Sequence, residues 1–291
     1  MSAIPNRKIA IVGSGASAFG VLSGLEASGV AAETTVFSTD RYLDFEPPAR
    51  RDSADLARFY AGLYAEIRSG AQSFPPRKTF FGDPVPCYAV EGEPRIFRTD
   101  MFGGQTNLWA GTVLPLARAD FAGWPIARED LEPHYEAVAR RIGIAGRRDA
   151  LAAFLGLDYS NAPPLKQLAG FAFLGRHLAE RAETDDFRIH AGLAPSAVDT
   201  RPASPTGCVH CGECMAGCAR DAVHSARSAL RGEIERGALR FVGRNVATVE
   251  AGQGGVAVCC EDGRVERFDR VFLCAGCVGT SEILMRSLGL R

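Results

Sequence analysis

The chain has 291 residues, enough to bury a substantial core in one large domain or two smaller ones. Its 33 Lys and Arg nearly balance 34 Asp and Glu, for a net charge of −1 and a pI near 6.5. No basic run interleaved with aromatics occurs, which argues against a nucleic-acid partner, and no apolar run approaches the length of a membrane span.

Met1 to Arg7 leads straight into a domain strand rather than a charged-then-apolar leader, so a cytoplasmic protein is expected. Ile9–Val12 reads as a short buried strand, and it opens directly into a glycine-rich turn. Gly13 and Gly15 occupy the first two positions of G-x-G-x-x-G/A, with Ala18 at the third. The first glycine allows a tight turn and the second lets backbone approach a pyrophosphate. The third small residue lets the following helix pack on the strand with its N-terminus toward the phosphates. The pattern predicts a dinucleotide site without saying which dinucleotide.

A helix is expected over 17–27, with Val21, Leu22 and Leu25 toward a sheet and Gly29 at its end, then a strand over 34–37. Dinucleotide folds usually carry an acid about 20 positions past the last glycine to hold the ribose hydroxyls, and its absence weakens a simple NAD reading. Here the position after Phe37 is Ser38, and Asp40, two residues on, is either a shifted ribose partner or part of a surface turn. Between Pro47-Pro48 and Pro75-Pro76 lies one amphipathic helix, with Ser53 expected to cap its start and Gly70 its end, and with Leu56, Phe59, Tyr60, Leu63 and Ile67 on one face. The three glycines of 97–111, around Thr106 and Trp109, suit backbone lying against something flat.

Trp124 follows Gly123 and reads as a core or hinge residue. After it, Leu131, Tyr135, Val138 and Ile142 recur at helical spacing. A mostly helical region continues, with 165–182 expected as its longest helix. His134, His177 and His190 are isolated and read as surface or satisfied core residues.

Cys208, Cys211, Cys214 and Cys218 form C-x2-C-x2-C-x3-C, the bacterial ferredoxin spacing for an iron–sulfur cluster, with Ala219 where proline usually stands. Zinc, which favours two knuckles a dozen or more residues apart, and reduced structural thiols are the other readings of this run. Cys274 and Cys277 read C-x-x-C at the end of an apolar strand, away from a helix start, and are expected to be buried thiols.

Downstream, a helix over 225–236 precedes a strand at 239–242. Three short strands follow at 246–250, 256–260 and 265–268, the last two joined at Asp262-Gly263. A strand from Arg270 ends in Ala275-Gly276, and a helix is expected over 280–287.

Taken jointly these segments resemble the glucose-methanol-choline oxidoreductases, flavoproteins that oxidise alcohols and sugars. The resemblance spans nearly the whole chain. It rests on Gly13-x-Gly15, on Gly103-Gly104-x-Thr106 with Trp109-x-Gly111, and on Trp124-Pro-Ile followed by Asp130-Leu-Glu-Pro-His-Tyr135. The run from Cys211 to Ser225 and Val271–Thr280 complete it. It implies an α/β fold: a Rossmann-like FAD-binding domain of parallel sheet plus three-stranded meander, with a mostly helical insertion.

The expected division is 1–40 and 205–291, with loop 97–111, for FAD, and 41–96 and 112–204 for the helical part. The resemblance implies the pyrophosphate at Gly13 and Gly15, adenine near Val246, and the 103–111 loop beside the isoalloxazine. Cofactor contacts are thus expected from Gly13, Gly15, Ala18, Asp40, Gly103, Gly104, Thr106, Trp109, Val246, Ala275 and Gly276.

Many members have Asn where Trp109 stands, and Val223 takes the place of a lysine. The family's substrate-domain sheet and catalytic histidine segment are expected beyond Arg291, so the resemblance assigns no catalytic residue here. The function it implies is hydride transfer from a CH–OH group to FAD, with an alcohol or sugar as substrate and an electron-acceptor protein as partner. The competing expectation is a flavin and iron–sulfur electron-transfer component that partners a separate catalytic chain.

Overall fold

The computed structural model describes residues 7–47, 49–69, 87–88, 96–97, 99–156, 161–180, 189–214 and 217–290. The chain divides into two compact units. The first comprises Met1–Glu46, Gly82–Trp109 and Ser225–Arg291, and the second Pro47–Phe81 and Ala110–His224. The cysteine run therefore groups with the second unit, and the return to the first comes at Ser225 rather than at 205.

The first unit is α/β. Strands β1 (Arg7–Val12), β2 (Ala32–Ser38), β5 (Arg240–Gly243) and β9 (Arg270–Leu273) form one parallel sheet in the order β5-β2-β1-β9. Ile9, Ala10, Ile11 and Val12 pair with β2 on one side and with β9 on the other. Such doubly flanked strands read as continuous apolar runs, which is the pattern of β1. Strands β6 (Val246–Gly252), β7 (Gly255–Cys260) and β8 (Val265–Phe268) make a separate antiparallel sheet, its last turn at Asp262-Gly263 as expected.

This meander packs on the parallel sheet. Phe37 meets Phe268 edge to face at 5.6 Å between ring centroids, and Ala10, Val12, Val246 and Val258 fill the space around them. Ile283 joins the same core from helix α7 (Gly276–Ser287), which lies against β6. Helices α1 (Ala16–Ser28) and α6 (Ala226–Glu235) pack on each other, burying Ala18, Phe19 and Leu22 of one and Ala226 and Leu230 of the other. Each fully buried Phe, Ile or Leu contributes about 1.5–3 kcal/mol relative to leaving it exposed. Ser225 caps α6, its hydroxyl accepting the Ser228 N–H at 3.2 Å. Two-residue strands β3 (Cys87–Tyr88) and β4 (Ile96–Phe97) pair antiparallel.

In the second unit, helix α2 (Ser53–Arg68) begins one residue earlier than a Ser53 cap would place it: Asp52 is the cap, its carboxylate accepting the Asp55 N–H at 2.8 Å, and Leu63 is buried. Gly70 and Pro75-Pro76 lie outside the described residues. Helix α3 (Arg128–Ile142) carries the Leu131–Ile142 spacing, α4 (Ala150–Leu155) is short, and α5 (Ala169–Glu180) has 12 residues against 15 in α3. The expected long helix over 165–182 thus begins later and is not the longest. Trp124, expected in the core or at a hinge, is not in the core: it is 52 % exposed and rests edge-on against Phe121. His177 and His190 stack on Phe173 and Phe154.

The segment leading into the cysteine run is held by Asp199. Its carboxylate accepts two guanidinium N–H bonds from Arg201, at 2.8 and 2.9 Å, and bonds from the Arg201 backbone N–H and the Thr206 and Ser204 hydroxyls. The Arg201 pair, with these hydroxyls and N–H, holds the Asp199 carboxyl well below the usual carboxylate range against the opposing effect of desolvation. A depressed folded value means that the stabilisation is complete above the unfolded pKa, near 4, and is lost as pH falls through the folded one. Asp199→Asn should lower the unfolding midpoint at neutral pH by an amount corresponding to roughly 1 kcal/mol. The gap to the unsubstituted protein should begin to shrink below about pH 4 and close only as pH falls through the depressed folded value, which urea unfolding across that range would measure.

Candidate functional site

Parallel strands end on one edge, so the loops after β1, β2, β5 and β9 converge. The chain leaves β1 toward β2 on one side and reaches β9 on the other, which opens a crevice at the carboxyl ends between them. A cavity of about 320 Å³ occupies it, lined by Gly13 to Ser17, Ser38, Thr39 and the start of α7.

The glycine loop is shaped by close approach. Gly13 has φ +107°, and a Cβ there would lie 2.2 Å from the Cys274 carbonyl oxygen. No other residue fits this crossing of β1 and β9. Ser14 is buried and ties three loops together: its hydroxyl accepts the Gly103 N–H at 3.0 Å and shares a 2.8 Å bond with the Ser38 hydroxyl. Gly104 then rests on Gly15, where a Cβ on Gly104 would come within 3.3 Å of the Gly15 Cα. Thr106 holds the shape of this second loop, donating to the Gly103 carbonyl at 2.6 Å and accepting the Ala226 N–H at 2.9 Å.

Two helices begin at the cavity. Neither α1, with Gly15 as N-cap, nor α7, with Ala275 as N-cap, has a side-chain cap, and neither carries an acid in its first turn. Residues Gly15–Ser17 of the one and Gly276–Gly279 of the other line the cavity. Uncapped helix starts present orphan N–H donors and the positive end of the helix dipole, a combination that suits anionic oxygens.

Helix α7 starts at Gly276, four residues before the expected 280. Cys277 consequently lies in a helical first turn, exposed and on the cavity, rather than at a buried strand end. Cys274 is buried, and burial pushes its thiol up to about 11.

Of the other residues picked from the sequence, Gly13, Gly15, Gly104, Thr106, Val246, Ala275 and Gly276 line the cavity. Ala18 lies beneath it, fully buried in α1, and Gly103 lies behind it, where a Cβ would meet Arg227 at 2.6 Å. Asp40 is exposed and Trp109 half-buried, both outside the lining. The carboxylates on the cavity are instead those of Asp100, paired with Arg41 at 3.1 Å, Glu261, paired with Arg286 at 3.7 Å, and Glu282. Ser38 was the position where an acid was sought, and its hydrogen bond to Ser14 explains why a small hydroxyl stands there. Glu261 carries one sequence signal, its place beside the Asp262-Gly263 turn.

The four cysteines of the run are not brought together. Among the described residues, no three His, Cys, Asp or Glu side chains are gathered so as to hold a metal ion. Cys214 is exposed, while Cys208 and Cys218 accept backbone N–H bonds from His210 and Ala222, both at 3.4 Å. The buried side chain of this loop is a carboxylate: Glu213 is 1 % exposed, takes the Arg51 N–H at 3.1 Å, and lies 3.7 Å from the Arg50 guanidinium. The Tyr60 hydroxyl of α2 donates to the Gly212 carbonyl at 2.7 Å, with burial and then the neighbouring Cys214 raising its pKa. As arranged, the loop is a clasp between residues 210–214 and the start of α2, and it does not fit a four-thiolate cluster.

His224 lines neither the cavity just described nor the apolar one of the second unit. Its imidazole is pushed down to about 4 by burial and is therefore neutral at pH 7. No family model matches the chain, and no curated protein matches it.

The clasp is testable. An exposed ion pair contributes at most about 1 kcal/mol, and the Arg50 side chain is 67 % exposed, so the Arg51 N–H bond is the stronger link. Glu213→Ala should cost roughly 1–3 kcal/mol by leaving that N–H unsatisfied. Glu213→Gln, which keeps an acceptor oxygen, should retain most of the stability in chemical unfolding. Equal losses in the two variants would make the Arg50 pair the anchor instead.

Proposed function

We propose that the first unit is a Rossmann-like FAD-binding domain belonging to an oxidoreductase that acts on CH–OH groups of alcohols or sugars. The observation that carries the cofactor reading is the meeting of two uncapped helix starts, free of acids, at one cavity over the ends of parallel strands. A pyrophosphate would be held by backbone N–H groups of Gly15–Ser17 and Gly276–Val278. Val246 offers an apolar wall for an adenine ring, and Glu261 a carboxylate for ribose hydroxyls.

FAD is favoured over NAD by the resemblance; Ser38, engaged by Ser14, leaves the ribose hydroxyls to Glu261. The meander packed on the sheet supports the same choice. When bound, FAD supplies a two-electron acceptor for hydride. The substrate class, and an acceptor protein for the electrons, rest on the resemblance carried by Gly103–Gly111, Trp124–Tyr135 and Val271–Thr280. No step is routed through the cysteine run, because its thiols are not gathered.

Gly15 offers a discriminating variant. Its backbone is extended, and a Cβ there would meet nothing closer than 3.9 Å, so a side chain fits. Asp at this N-cap would satisfy the first N–H groups of α1 and place a negative charge where the pyrophosphate is expected. Gly15→Asp should therefore leave the unfolding midpoint unchanged or slightly raised, while FAD affinity falls at least about tenfold, equivalent to about 1.4 kcal/mol. Titration of the intact chain with FAD, FMN and NAD, followed by calorimetry, measures this. Tightest binding by NAD, no FAD binding at all, or FAD affinity indifferent to Gly15→Asp would each overturn the reading.

A further inference from the structure

The second unit holds an apolar cavity of about 380 Å³ that plays no part in the dinucleotide reading. Its floor is the stripe Leu131, Tyr135, Val138 and Ile142 of α3, which the sequence predicts as a core-facing helix surface. Of the cavity-lining residues on α3, only Ala139 is buried, and Val138 remains 37 % exposed. The walls come from 113–115 and from Leu193 and Pro195. From Leu131 to Ile142 the trough runs about 16 Å along the helix axis.

Three polar groups interrupt this lining: His134, the Tyr135 hydroxyl and Arg147. Arg147 is held through Nε by Asp149 at 3.2 Å. That carboxylate is already committed to the backbone N–H groups of Leu151, Ala152 and Leu193, at 3.1, 3.1 and 2.8 Å. Asp149 thus fixes the Arg147 side chain by its Nε edge, while the side chain stays half exposed; among the described residues its ion pair is the one to Asp149.

A mostly apolar concavity of this size with a few polar groups is the usual form of a small-molecule site. An apolar protein face laid over it would bury the Arg147–Asp149 pair, whose carboxylate already serves three backbone N–H groups, and desolvating such a pair is costly. A small molecule with one anionic end matches both the apolar length and the cation.

We propose that this trough binds a small amphiphilic carboxylate, with its apolar body along the Leu131–Ile142 stripe and its carboxylate on Arg147. The assignment stands apart from the FAD reading, and neither test depends on the other.

The probes are decanoate and decanol, titrated calorimetrically into the intact chain below their micelle concentrations. Decanoate should bind one to one and more tightly than decanol. Arg147→Ala should weaken decanoate about tenfold and leave decanol unchanged, Arg147→Lys should recover part of the loss, and Val138→Glu should remove both ligands. Unfolding curves of each variant identify any that fail to fold, and the comparison of decanoate with decanol on the unsubstituted protein needs no variant. Absence of decanoate binding, equal affinity for acid and alcohol, or indifference to Arg147→Ala would overturn the proposal. So would a dimer in light scattering that Val138→Glu converts to monomer, since a second copy would then be what covers the stripe.

Discussion

The first unit depends on how closely the end of β1 can approach the end of β9. Gly13 makes that approach possible: its hydrogen leaves room for the Cys274 carbonyl, where any side chain would stand inside van der Waals contact. Once the two strands are this close, the helices that follow them, α1 and α7, must start side by side. Their unpaired N–H groups then face a common space. The same closeness turns Ser14 inward, where its hydroxyl joins Gly103 and Ser38. One backbone crossing thus determines the position of three loops, and the electrostatics of the cavity follow from the loops.

The second unit is organised by carboxylates that serve backbone N–H groups more than opposite charges. Asp149 caps α4 and reaches Leu193, Asp199 closes the turn before the cysteine run, and Glu213 fastens that run to Arg51. The arrangement also explains why the cysteine loop is shaped as it is. With Glu213 turned inside and Cys214 outside, the loop interior serves attachment to α2 instead of collecting thiolates.

Much of the first unit was legible beforehand because its signals are local. The apolar run of β1, the glycine turn and the Asp262-Gly263 hairpin each depend on residues within one or two turns of chain. Helix α7 was placed late because Gly276 and Gly279 read as loop, yet packing against β6 through Ile283 draws the first turn into helix. The misplacement hid Cys277, which looked like a strand-end thiol and proves to sit on the cavity. Asp40 was picked by counting from the glycines, but the distance along the chain says nothing of which way the turn after β2 faces. Glu261, more than 200 positions away, lines the cavity, and Asp40 does not.

By itself the sequence determined which segments would be strands and helices in the parallel sheet and meander. It also determined that a glycine turn would lie at the sheet's carboxyl edge, because hydrophobic period and glycine placement act over a few residues. The tertiary structure alone decided which side chains share a space. It paired Ser14 with Ser38, put Glu261 on the cavity in place of Asp40, left the thiols of 208–218 ungathered around a buried Glu213, and turned the apolar stripe of α3 toward an open trough. Spacing along a loop limits what its side chains can reach, but their direction is set by what packs against the loop from elsewhere in the chain.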